Sequence, residues 1–217
     1  MKKWTQSRVS DLQSLLRQSH KKLLIWDFDK TLVDLDWFGG EPVEIFFDRV
    51  YQRICAIDER IIDNKQAFFD RLFPYPEIDA IVRRYGSDAA KTVKAILFEK
   101  ERQCMSSGTP EQLLLDFISD THQTYDHAIW SNNHQDTISY YVQKNGIAEH
   151  VGVIASYDQV SFAKPHPEGF EMIAKRYPTI TQGDMLIIGD SPRSDQVAAN
   201  AVGVDFFLWA DTNAPRV

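Results

Sequence analysis

An apolar run that ends in two carboxylates constrains this chain more than any other feature: Leu23-Leu24-Ile25-Trp26, then Asp27-Phe28-Asp29-Lys30-Thr31. Four consecutive apolar residues read as a strand buried on both faces, as at the centre of a parallel sheet. Ending such a strand in unpaired negative charge is expensive. A metal ion at the carboxyl end of the sheet supplies the compensation, and open α/β sheets bind their ligands at that end.

Four more short apolar runs repeat the pattern. Residues 128–130 run into Ser131-Asn132-Asn133, 151–155 into Ser156, 185–188 into Gly189-Asp190-Ser191, and 206–209 into Ala210-Asp211. The stretches between them, at about 111–122, 134–144, 167–176 and 193–202, carry helical spacing. Strands alternating with helices imply βαβ units, and right-handed crossovers set all the strand ends along one edge of a parallel sheet. Residues 35–110 break the alternation. They read as helices at 43–57, 59–73, 77–85 and 89–103, separated at Gly39-Gly40, Pro74-Tyr75-Pro76, Gly86-Ser87 and residues 106–110. The expected organisation is an N-terminal helix (1–20) packed on the core through Val9, Leu12, Leu15 and Leu16. An α/β core follows (21–34 and 111–217), with an inserted all-helical cap (35–110) lying over the strand ends.

The 217 residues carry 43% hydrophobic and 25% charged side chains, an ordinary globular balance, and a net charge of −7. That sign argues against non-specific nucleic-acid binding while leaving room for a small anionic substrate. Cys55 and Cys104 are too isolated for a metal site and read as reduced, packed thiols. No apolar stretch approaches the roughly 20 residues that span a bilayer, and the first residues lack a signal-peptide core. The expected location is the cytoplasm, and the expected assembly a monomer or homodimer.

Polar groups suited to phosphate chemistry stand at or just after the strand ends. Phosphoryl transfer asks a protein for in-line positioning and neutralisation of the phosphoryl oxygens. Carboxylates from two strand ends, Asp27 and Asp190, can hold Mg²⁺ together with phosphate and water. Asp27 then suits a covalent nucleophile, and Asp29 a general acid and base. Ser131 can donate a hydroxyl to the phosphoryl group, Lys164 can supply positive charge, and Thr31 and Asp195 fit a shell that orients the carboxylates.

Taken in order, these residues resemble the haloacid dehalogenase-like (HAD) hydrolase superfamily, in its phosphatase branch with a helical cap of the first type. Asp27, Asp29 and Thr31 match the first motif, Ser131 the second, Lys164 the third, and Asp190 with Asp195 the fourth; Ala198-Ala199 and Val202-Gly203 follow as is common. The resemblance implies a Rossmann-like sheet of order 5-4-1-2-3 and hydrolysis of a small phosphorylated metabolite through an aspartyl-phosphate at Asp27. It implies Mg²⁺ on the Asp27 carboxylate, the Asp29 carbonyl and the Asp190 carboxylate, with Asp195 behind them and the Asn132 backbone N–H on the phosphate. Lys30 departs from the pattern, standing where glycine is frequent, and the N-terminal helix lies outside it.

The six histidines, His20, His122, His127, His134, His150 and His166, show no metal-ligand spacing; surface or capping roles are expected, with only His134 and His166 near motif loops. Trp26 and Trp130 read as core. Arg83, Arg84, Lys91 and Lys94 read as a solvated helix face, and Trp37 and Phe38 as candidates for the substrate entrance. The alternatives are a phosphomutase, a metal-independent dehalogenase, and a non-catalytic phosphometabolite-binding module. Intact Asp29 and Asp190 weigh against the last two. A nicotinamide-binding sheet is excluded, because no Gly-x-Gly-x-x-Gly follows the first strand.

Overall fold

In the computed structural model, residues 3–37, 41–70 and 73–210 are described. Five strands form one parallel sheet: β1 (Leu23–Trp26), β4 (Asp126–Trp130), β5 (Val151–Ala155), β6 (Met185–Gly189) and β7 (Asp205–Leu208), in the order β5-β4-β1-β6-β7. Counted among these five alone, the order is 5-4-1-2-3, with the carboxylate-ending strand in the middle. The register aligns Trp26 with Ile129 on one side and Ile188 on the other, so the carboxyl ends of the central strands stand level.

Both faces of β1 are buried, which is why its sequence does not alternate. Leu24 and Trp26 join an apolar cluster with α1 (Lys3–Arg17), α6 (Gln112–Thr121) and α7 (Gln135–Lys144). Leu23 and Ile25 face the other way, toward α8 (Glu168–Arg176) and α9 (Asp195–Val202). Helix α1 lays Val9, Leu12 and Leu16 into the first cluster. Arg8, on the same helix, donates to the Leu208 carbonyl and sits 4.2 Å from the Phe207 ring centroid.

Four α-helices lie between residues 43 and 104 among the described residues: α2 (Val43–Asp58), α3 (Lys65–Phe69), α4 (Tyr75–Tyr85) and α5 (Ser87–Cys104). The continuous helix expected over 59–73 is replaced by a 3-10 turn at Glu59–Ile61 and the short α3. The cause is local. Asp58 accepts from the Arg60 amide and Asn64 from the Ala67 amide, so each side chain starts a new element where a helix would need to continue. Helix α4 starts earlier than expected, at Tyr75, because Pro76 within its first turn needs no hydrogen-bond partner. The Gly39-Gly40 break, Phe38 and Asp211 lie outside the described residues.

A second, two-stranded antiparallel sheet was not legible in the sequence. It pairs β2 (Val33–Asp34) with β3 (Thr109–Pro110), so the two connections to the helical segment run side by side. Two residues per strand are too few to show any periodicity. No helix among the described residues is long and apolar enough to cross a membrane.

Leu12 is fully buried where α1 meets the core. Leu12→Ala is expected to lower unfolding free energy by about 2–4 kcal/mol in urea titration. A loss below about 0.5 kcal/mol, the level of a surface change, would show that α1 contributes nothing to core packing.

Candidate active site

Level strand ends bring the separate motifs into one cavity of about 230 Å³. Its walls include Asp27 and Asp29 from the end of β1, Ser131, Asn132 and Asn133 from the end of β4, Lys164 from the loop after β5, and Asp190, Ser191 and Asp195 after β6. Thr31 is not among them. Its buried hydroxyl has no hydrogen-bond partner among the described residues, and the residue lines a separate cleft with Asp34 and Glu111.

Lys164 is the electrostatic centre. Its Nζ lies 2.6 Å from Asp27 Oδ1 and 2.6 Å from Asp195 Oδ1, with all three side chains almost fully buried. Burial opposes the ammonium charge, but Asp195 and Asp27 outweigh it and raise the lysine pKa. The remaining Asp195 oxygen accepts from the Ser191 amide at 3.0 Å. Gly189 makes this possible, because a Cβ there would collide with the Asp195 carboxylate.

The carboxylates remain undercompensated. Burial, with Asp195 next, pushes Asp27 well above the usual range; burial and Asp195 lift Asp190 to about 7. One oxygen from each of Asp27, Asp190 and Asp195 lies within 4.8 Å of the others. Since both Asp195 oxygens are already engaged, Asp27 and Asp190 are the free ligands, and the donor set is the hard, anionic oxygen that suits a small divalent cation.

Asp29 is held differently. Its Oδ1 accepts from the Leu35 amide at 3.1 Å and its Oδ2 from Trp37 Nε1 at 2.6 Å. Burial nevertheless raises its pKa, which suits a group that must carry a proton. Lys30 adopts φ = +66°, the left-handed conformation that glycine accepts without strain, so the turn keeps its shape despite the side chain.

Two loops of the site are joined to each other and to helix α5. Asn132 Oδ1 accepts from the Lys164 amide at 2.8 Å. Ser131 Oγ donates to Asn133 Oδ1 at 2.8 Å. Glu101, on α5, accepts from the His134 amide at 3.0 Å and 3.2 Å. Lys94, two turns earlier, donates to the carbonyls of Tyr157, Val160 and Ser161. The expectation of a solvated face therefore fails for Lys94, which is buried and whose pKa burial lowers to about 8. Glu101 escaped the sequence reading. Its signal was its place in the apolar stripe of Ala90, Val93, Leu97 and Cys104, where a carboxylate needs a partner.

Of the histidines, His127 departs from expectation: it is buried in β4, accepts from Trp26 Nε1 at 3.1 Å, and is held neutral by burial with a pKa of about 4. His134 caps α7 by accepting from the Asp136 amide, and neither it nor His166 lines the cavity. Trp37 does line it, joined by Phe73 and Tyr75, which the sequence reading did not single out. A larger cleft of about 720 Å³ between α2 and α5 carries Arg49, Arg53 and Arg102 but none of the strand-end groups. Arg49 there is already paired with Glu41 and Glu99.

Burial raises Glu101 from 4.5 to about 8, against the hydrogen bond from the His134 amide. The folded chain thus binds this proton more tightly than the unfolded one, and between those two values stability falls as pH rises. Urea unfolding from pH 5 to 8 should show that decline, and Glu101→Gln, which keeps an acceptor for His134, should flatten it. Equal slopes in the two proteins would refute the buried, protonated carboxyl.

Known proteins share this arrangement of chain. A family model described as haloacid dehalogenase-like hydrolase matches residues 24–209. The HAD-hydrolase YfnB of Bacillus subtilis (strain 168) is 29% identical over 199 residues, covering 85% of this chain and 82% of that protein. A structure of YfnB with magnesium bound aligns with a TM-score of 0.56 at 19% identity, over 91% of this chain and 90% of that one. A HAD phosphatase from Thermococcus onnurineus aligns at 0.54 with 20% identity, over 90% and 89%. A 2-haloacid dehalogenase from Pseudomonas syringae pv. Tomato DC3000 aligns at 0.56 with 17% identity, over 91% and 91%. At such identities the structural likenesses speak for the fold, and the family model, spanning most of the chain, for descent: this protein belongs to the haloacid dehalogenase-like hydrolase family.

Proposed function

We propose that the chain is a Mg²⁺-dependent phosphomonoesterase that works through an aspartyl-phosphate on Asp27. The observation that carries the reading is the pair of unlike carboxyls two residues apart in one cavity. Asp27 is held by the Lys164 ammonium at 2.6 Å, while Asp29 accepts from the Leu35 amide and the Trp37 indole instead and meets no ammonium at that range among the described residues. Carboxyls whose surroundings differ in this way divide into nucleophile and acid.

In the first step an Asp27 oxygen attacks phosphorus and the ester P–O bond breaks, the departing alkoxide taking the Asp29 proton. In the second, Asp29 removes a proton from water as that water attacks phosphorus, and the bond to Asp27 breaks, releasing inorganic phosphate and restoring both carboxyls. Lys164 counters the negative charge around Asp27 throughout, and the Asn132 backbone N–H serves the phosphoryl oxygens, joined by Ser131 once its hydroxyl turns from Asn133. Asp27, Asp190 and the Asp29 carbonyl would hold the metal, with Asp195 behind them. When bound, that ion keeps Asp27 ionised and screens it from an anionic ester. The helical segment 35–110 acts in this reading as a cap over the strand ends, rooted at β2 and β3.

The magnesium bound in the YfnB structure and the phosphatase name of the Thermococcus neighbour support this reading. Carbon–halogen displacement, the chemistry in the Pseudomonas neighbour's name, gives a proton donor at Asp29 no task. Asp27→Asn should lower turnover of an aryl phosphate by about a thousandfold or more, since the nucleophile itself is lost. EDTA should abolish wild-type turnover and added Mg²⁺ restore it. Near-normal turnover in the variant, or turnover indifferent to EDTA, would reject the assignment.

A further inference from the structure

We infer that the preferred substrates are phosphate esters of a compact, uncharged alcohol bearing one flat ring, aromatic or heteroaromatic; this rests on Asp29 being the acid that protonates the departing oxygen. If the oxygen leaves at Asp29, the carbon attached to it must lie beside whatever flanks that carboxyl. Asp29 Oδ2 accepts from Trp37 Nε1 at 2.6 Å, so the flank is an indole. Two more rings adjoin that indole. Trp37 meets Phe73 edge to face at 4.9 Å, and Phe73 stacks on Tyr75 at 5.3 Å with 25° between their planes. All three line the same cavity as the carboxylates. Aromatic walls favour flat partners, through edge-to-face and offset-stacked contacts, over branched or strongly hydrated ones.

Charge narrows the class further. Two cations line the cavity among the described residues, and both are committed. Lys164 is shared by Asp27 and Asp195, and Lys30 pairs with Asp34 while donating to the Leu35 carbonyl. Four aspartates face the same space. A carboxylate on the alcohol would be desolvated among like charges with no cation to receive it, a costly arrangement. Volume sets the size. About 230 Å³ must hold the phosphoryl group and the alcohol together, below the roughly 300–1,000 Å³ of ordinary ligand pockets. That space favours one ring over a base joined to a sugar or a long acyl chain.

The test compares kcat/KM of the full chain with Mg²⁺ for benzyl phosphate, ethyl phosphate and phosphoglycolate, esters of three alcohols of similar basicity. Benzyl phosphate should exceed ethyl phosphate by about tenfold and phosphoglycolate by about a hundredfold. Phe73→Ala or Tyr75→Leu should cut the benzyl-to-ethyl ratio by about fivefold or more; a ratio within one protein cancels differences in folded fraction. Phosphoglycolate equalling benzyl phosphate, or an undiminished ratio in both variants, would overturn the ring preference while leaving the phosphatase reading intact. Failure to hydrolyse all three esters and an aryl phosphate would remove the phosphatase reading itself.

Discussion

One buried ammonium makes the centre of this molecule tenable. The parallel sheet concentrates Asp27, Asp190 and Asp195 at one edge, where burial raises the cost of every negative charge. Lys164 answers two of the three at 2.6 Å each. Removing either partner of so buried a pair leaves the other uncompensated, which costs far more than an exposed ion pair contributes. The third carboxylate is left for a cation. The same surplus of negative charge that threatens the fold therefore creates the demand for a metal.

Geometry around that lysine depends on elements far apart in sequence. Gly189 lets Asp195 lie across the end of β6, Asn132 fixes the backbone of Lys164, and Ser131 and Asn133 are locked to each other. Helix α5 then reaches both loops at once, with Glu101 on the His134 amide and Lys94 on three carbonyls of residues 157–161. Lys94 and Glu101 are themselves buried and ionisable, so each of their bonds is expensive to leave unmade. The helical segment and the loop after β5 share an apolar cluster as well, since Tyr157 and Ala163 pack with α2, α4 and α5.

Much of this was readable beforehand, for reasons that differ by element. Strand β1 announced itself because a strand covered on both sides must be apolar throughout, and its carboxylates stood out against that run. Asp27, Asp29, Ser131, Asn132, Lys164, Asp190 and Asp195 were nameable because each follows a strand end, a position that topology alone makes adjacent. Thr31 was nameable for the same reason, yet the turn points it away from the cavity. Lys94 and Glu101 stayed hidden because charge on a helix usually means solvent, and only packing against a distant loop reverses that. Phe73 and Tyr75 sit at a Pro-bounded break between helices, where no period assigns a side to a ring. The β2–β3 pair is too short to leave a pattern at all.

Helix α5 also bears on how such a protein can diversify. Because one helix fastens the loops after β4 and β5, the helical segment is not separable from the sheet: a transplanted replacement lacking counterparts of Lys94 and Glu101 would leave those loops unanchored. The rings join the same assembly more loosely: Tyr75 meets Tyr157 of the second loop edge to face at 5.4 Å, a contact another ring can replace, whereas the charged anchors of α5 have no apolar substitute.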